Sequence, residues 1–177
     1  MISTTEREYA ITQLDQTRER LLGILQGLSR DQLLFRPDPG RWSVAENVEH
    51  LVVAEKRLVG AIDKLLEEPP DFSTQRGIRD EEVVKKVGTA LERVQSPSHS
   101  LPKLRWPADQ LLHEFETTRE RTREFTSTTK GDLRHHFIRH FVLGELDCYQ
   151  WLLLIGAHCK RHTAQAEAVK ASLNFPH

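Results

Sequence analysis

The chain has 177 residues, about 29% of them charged, with a formal net charge of −1, and it fits one domain with enough length to bury a core without disulfide staples. No Lys/Arg stripe offers itself to phosphates, which excludes the usual nucleic-acid footprint, and no apolar run approaches the ~20 residues needed to span a bilayer. Strand-type runs are almost absent, and long stretches carry Leu, Glu, Arg, Gln and Ala, the strong helix formers.

In chain order, Ile11, Leu14, Leu21, Leu25 and Leu28 recur at helical spacing, so a first helix is expected from about Thr4 to Leu28, ended by Asp38-Pro39-Gly40. Ser43-Val44-Ala45-Glu46 reads as a capping box opening a second helix that continues to about Glu68, where Pro69-Pro70 stops it. Asp80 to Val94 is expected to hold a short extra helix, and Ser96 to Ser100 is loop-like. A third long helix is predicted from about Pro107 to Thr128, with Leu111, Phe115 and Phe125 inward. Lys130 to Leu143 has no clear form, and the last helix is expected from about Glu145 to Ser172. Four long helices without strands predict an all-α four-helix bundle occupying residues 1–177 as a single domain. The connection between the second and third helices is long enough to cross the bundle, so those two should run in the same direction, with the second and last helices adjacent.

The histidines carry the chemistry. His158 and His162 are four apart on the last helix and share a face with Trp151, Leu154, Ile155, Gln165 and Val169, while Tyr149, Lys160 and Glu167 point the opposite way. Imidazoles that face a core need partners for their ring nitrogens, and a metal or ordinary hydrogen bonds would serve. Cys159 replaces the Glu of the His-Glu-x-x-His peptidase motif, so that chemistry is not supported. Cys159 also lies ~100° around the helix from His158, away from its metal. His50 sits at the edge of the apolar arc of Val44, Val48, Ile62 and Leu66, near Glu46, Ala54, Arg57 and Ala61. As a third ligand it would complete a cross-helix site with an open position, and the two alanines would leave room for a substrate. His135, His136 and His140 form a competing group in a basic stretch with Arg134 and Arg139, and they read as mostly solvated. His99, His113 and His177 have no such context. Cys148 and Cys159, about 16 Å apart if on one helix, cannot pair within the chain. Two free thiols and a polar amino terminus without a secretory pattern lead us to expect a cytoplasmic protein.

The segment Pro39-Gly40-Arg41-Trp42-Ser43-Val44-Ala45-Glu46-Asn47-Val48-Glu49-His50-Leu51 resembles the first motif of the DinB/YfiT-like superfamily. Trp151 to Gln165, ending in His158-Cys159-Lys160-Arg161-His162-Thr163-Ala164-Gln165, resembles the second. His140 to Leu146 looks like the connection before the last helix, with Phe141 where the family usually has Pro. The resemblance runs from the first helix to the last and implies a four-helix bundle with a long crossover between helices two and three. It also implies a metal site on His50, His158 and His162.

The family includes metal-dependent thiol S-transferases, thiol-dependent isomerases and members described as hydrolases. The expected cofactor is a divalent metal, zinc or nickel first, with iron and copper as alternatives. The expected partners are a small-molecule thiol and an electrophile, with neither nucleic acid nor membrane, and a homodimer is compatible with such a bundle. The leading expectation is a low-molecular-weight-thiol S-transferase. The alternatives are a metal-dependent hydrolase and a non-enzymatic metal- or ligand-binding bundle. Arg57, two turns along from His50, is a candidate to hold a substrate carboxylate. Glu46 is a candidate base, with its capping role the competing reading.

Overall fold

The computed structural model describes residues 1–89 and 101–176. Four long helices dominate: α1 (Thr4–Leu25), α3 (Val44–Leu65), α5 (Ala108–Thr128) and α6 (Cys148–Lys170). Two shorter ones, α2 (Arg30–Leu34) and α4 (Asp80–Gly88), lie in the connections. A hairpin of β1 (Phe137–His140) and β2 (Gly144–Asp147) joins α5 to α6.

Side-chain contacts fix the direction of each long helix. Going along α1, Glu6, Thr17 and Ile24 meet Tyr149, Cys159 and Lys170 in turn, so α1 and α6 are parallel. Glu49, Lys56 and Leu66 meet Arg105, Glu114 and Gly131, so α3 and α5 are parallel, as the long crossover requires. Asn47 and His50 meet His162 and His158, so α3 and α6 are adjacent and antiparallel. The Arg119 guanidinium locks three helices together. It is fully buried, pairs with Glu55 of α3 at 2.9 Å and donates to Leu14 O and Thr17 Oγ1 of α1. Removing one partner of such a pair leaves a charge buried without compensation, which is far more costly than its net gain.

The structure departs from the sequence reading at the helix ends, for local reasons. α1 stops at Leu25 because Gly27 takes φ +77°, and Ser29 then opens α2 with its own capping box to Gln32. α3 ends at Leu65, and residues 66–68 tighten into short-range turns (Glu67 N to Lys64 O, 3.3 Å) before the two prolines. α6 begins at Cys148 because Asp147 caps it through Gln150.

The expectation of a bundle without any sheet is corrected in one place. Phe137–His140 pairs antiparallel with Gly144–Asp147 across a three-residue turn that closes with Gly144 at φ +78°. Tyr149 does not face outward. It is buried, donates from its hydroxyl to Glu6 O at 2.8 Å, and carries the Arg134 guanidinium over its ring. The crossover helix begins at Asp80 as expected and ends at Gly88. Residues 90–94, the loop Ser96 to Ser100 with His99, and His177 lie outside the described residues.

The core divides into two clusters. One lies around Leu14, Ile62, Leu133, Leu146 and Leu152–Ile155. The other lies around Leu21, Val44, Val48, Val52, Phe115 and Val169. No helix among the described residues is long and apolar enough to cross a membrane. Cys148 and Cys159 are both buried and unbridged on α6.

A candidate metal centre between α3 and α6

Ser43 accepts from Glu46 N, and Glu46 returns a bond to Ser43 N at 2.9 Å, which fixes where α3 starts and therefore where its first two turns point. Asn47 and His50, on those turns, face α6 and meet His162 and His158. The His50 and His158 Nε2 atoms are 3.2 Å apart, and one nitrogen from each of the three histidines lies within 4.8 Å of the others. Ring centroids are 4.5–5.0 Å apart. His50 and His162 are buried, and His158 is half-buried.

Two neutral imidazole nitrogens at 3.2 Å can share one proton or one cation. Nitrogens ~2.0–2.1 Å from a common tetrahedral zinc stand about 3.3–3.4 Å from each other, so the pair is spaced as ligands of a single ion would be. The protonation states agree with this. Burial first, then the neighbouring His50, pushes His158 down to about 3. Burial and the facing His158 and His50 push His162 well below the ordinary histidine value. Both rings are therefore neutral at physiological pH, the form a metal requires. The donor set fits a divalent ion of the zinc, nickel, copper or iron series.

The second layer is built from residues that the sequence reading did not assign. His162 Nδ1 stands 2.8 Å from Asn47 Oδ1, and Asn47 Nδ2 donates to Ser43 O at 2.9 Å, so the amide oxygen is the acceptor and Nδ1 carries the proton. That leaves His162 Nε2 as the lone pair. Trp42 walls the cluster, its ring 5.0 Å from His50 and stacked at 5.9 Å on His162. The available signal was position: Asn47 lies three residues before His50, and Trp42 lies directly before the helix cap.

The other candidates fall elsewhere. Both carboxylate oxygens of Glu46 are taken, by Ser43 N and by Arg36, so the capping role is the one the geometry displays. Glu49 is buried and accepts from Lys103 N and the Arg105 guanidinium, tying residues 101–106 to α3. Arg57 is exposed and forms no ion pair among the described residues. Along α3, exposure rises from buried His50 through half-buried Ala54 to exposed Arg57 and Ala61.

The competing histidines are not mostly solvated. His136 is buried, its two nitrogens 2.8 and 2.9 Å from Asp132 O and Glu68 O, because it clamps the end of α3 to the connection before β1. His140 is half-buried against Trp151. Only His135 is substantially exposed, with Asp132 beside it. Each has its own separate partners, and the three rings do not converge. His113 is exposed on α5.

A helical bundle in which three imidazoles from two antiparallel helices converge offers the donor set of a metal-binding scaffold. The chain belongs to the DinB superfamily, whose family model matches residues 13–166. YuaE of Bacillus subtilis (strain 168), described as uncharacterised, is 27% identical over 150 residues, spanning 84% of this chain and 90% of that protein. In fold, the chain resembles the solved structure of YfiT from Bacillus subtilis with a TM-score of 0.65 at 15% identity. The match covers 99% of this chain and 92% of the other, and YfiT is described as a probable metal-dependent hydrolase with an unusual four-helix bundle topology.

Proposed function

We propose that this protein is a divalent-metal-dependent enzyme that transfers a low-molecular-weight thiol to a small electrophile, with His50, His158 and His162 as the metal ligands. The observation that carries the proposal is the convergence of the three imidazoles, with His158 half-buried. A divalent ion held there supplies a positive charge that makes a neighbouring thiol far more acidic.

The chain's own groups do the rest. Asn47 orients His162, Trp42 shields one side of the cluster from water, and Glu46 with Arg36 secures the helix start on which the ligands depend. Arg57, exposed on α3, is suited to holding a substrate carboxylate. Glu46 and Glu49 are both engaged in other contacts. A thiol beside a cation needs no further base. Hydrolysis is the second reading, supported by the description of YfiT.

The test is metal analysis of protein purified without a His-tag, followed by conjugation of cysteine and glutathione to monobromobimane and hydrolysis of activated esters. Metal-dependent conjugation above the uncatalysed rate supports the proposal. Metal-dependent ester hydrolysis without thiol dependence transfers the assignment to a hydrolase. Stoichiometric metal with no turnover makes the protein a binder.

A further inference from the structure

His140 closes β1 on the same strand face as Ile138, and both rest on α6. Trp151 Nε1 donates to Ile138 O at 2.9 Å, and the His140 ring lies 5.3 Å from the Trp151 ring. Trp151 and His158 are seven residues, two helical turns, apart, so they share one stripe of α6 with Leu154 and Ile155 between them. His140 therefore stands at one end of the stripe whose other end is the metal centre.

The hairpin turn determines which ring nitrogen of His140 carries the proton. Val142 N and Leu143 N both donate to His140 Nδ1 at 3.1 Å, so Nδ1 is the acceptor and the proton is on Nε2. Burial holds the ring's proton affinity below the ordinary histidine value, which keeps it in this neutral form. Nε2 has no hydrogen-bond partner among the described residues, and the ring is only half-buried. A half-buried N–H that the fold orients but does not satisfy is a donor waiting for a ligand.

We propose that His140 is a specificity residue of this site: its Nε2–H donates a hydrogen bond to a carboxylate or carbonyl oxygen of the small molecule that the three-histidine centre binds. The assignment rests on the thiol reading above for the other end of that molecule. It adds a fixed recognition point on the hairpin, on the α6 side of the site.

Two substitutions separate the donor from the turn. His140→Asn keeps an acceptor near the Nδ1 position, preserving the turn, and removes the distal N–H. His140→Gln keeps a distal N–H and gives up the proximal acceptor. Protein loaded with cobalt(II), a spectroscopic stand-in for the native divalent ion, is titrated with 3-mercaptopropionate and with propanethiol, which differ by the carboxylate. The wild type and His140→Gln should prefer 3-mercaptopropionate, and His140→Asn should lower that preference by about tenfold, the worth of a hydrogen bond to a charged group, with propanethiol affinity unchanged. In parallel, nitrogen-15 histidine spectra should show His140 as the Nε2–H tautomer. An Nδ1–H tautomer, or full retention of the preference in His140→Asn, overturns the proposal. Failure of both thiols to perturb the cobalt spectrum counts against thiol chemistry instead, and the tautomer then decides His140 alone.

Discussion

Asn47 Oδ1 stands 2.8 Å from His162 Nδ1, and this contact gives a buried histidine a defined tautomer with its lone pair on Nε2. Second-layer partners of this kind commonly contribute 10–100-fold in metal affinity. Asn47→Ala should weaken zinc binding by roughly that factor while leaving helical content unchanged. Competitive titration against a chromogenic chelator, beside circular dichroism, measures both. Asn47→Asp should restore part of the affinity, because a carboxylate accepts the same N–H. Equal affinity in the wild type and Asn47→Ala would mean that His162 is not held through this bond.

The three clustered histidines and His136 make unequal demands on the fold. His50→Ala, His158→Ala and His162→Ala should each sharply lower metal stoichiometry without unfolding the protein, because both apolar clusters are complete without the ion. His136→Ala should keep its metal yet lose stability by about 1–3 kcal/mol, since it leaves Asp132 O or Glu68 O without a donor in a buried place. Metal analysis and urea melts of the four variants separate the two classes. Full metal retention in His50→Ala would remove the cross-helix centre.

Residue spacing brings out the histidine cluster because a helix repeats on itself: His158 and His162 had to share a face, and the capping box at Ser43 set the phase of His50. The shared direction of α3 and α5 followed from the long connection between them. Asn47 escaped notice because nothing in its own position distinguishes a buried amide that serves a neighbour from one that serves the backbone. The hairpin escaped because strands of four residues, Phe137–His140 and Gly144–Asp147, are too short to show a period, and Gly144 reads as a generic turn residue. Tyr149 was placed outward by the α6 stripe, yet contacts from α1 and Arg134 bury α6 on almost every side of its first turns.

Leu104 adopts φ 53°, the only positive value among the described non-glycine residues. In that conformation the flanking Lys103 N and Arg105 N both reach Glu49 Oε1, at 2.9 and 3.3 Å. A leucine in this region costs about 1 kcal/mol or more, and its side chain is half exposed, so little packing repays it. Leu104→Gly should relieve that strain. It should leave stability unchanged or raised by up to about 1 kcal/mol despite the added freedom of the unfolded chain. A urea melt decides it, and a loss above about 1 kcal/mol would show that the leucine side chain, not the backbone bend, holds this segment.

Acid sensitivity should trace to Glu6. Burial alone would raise its carboxyl, but the Arg134 guanidinium and the Ser3 N–H outweigh that and hold it at about 2, against 4.5 for an unperturbed Glu. A carboxyl whose pKa is lowered by folding adds stability that is fully present above the unfolded value and is lost as protons bind the folded state. The window therefore opens near pH 4.5 and closes near pH 2. Glu6→Gln keeps an acceptor for Ser3 N and removes the charge beside Arg134. Because about a third of the Glu6 side chain is exposed, solvent screening reduces the effect, and the variant should be roughly 1–2 kcal/mol less stable at pH 7. The gap should shrink as pH falls through that window and vanish near pH 2. Metal-free protein is the material to use, so that ligand protonation does not contribute to the acid response. Urea melts of both proteins at pH 7, 5, 4 and 3 measure the difference, and a gap that stays constant from pH 7 to pH 3 would assign the role of Glu6 to its shape in the helix cap, not to its charge.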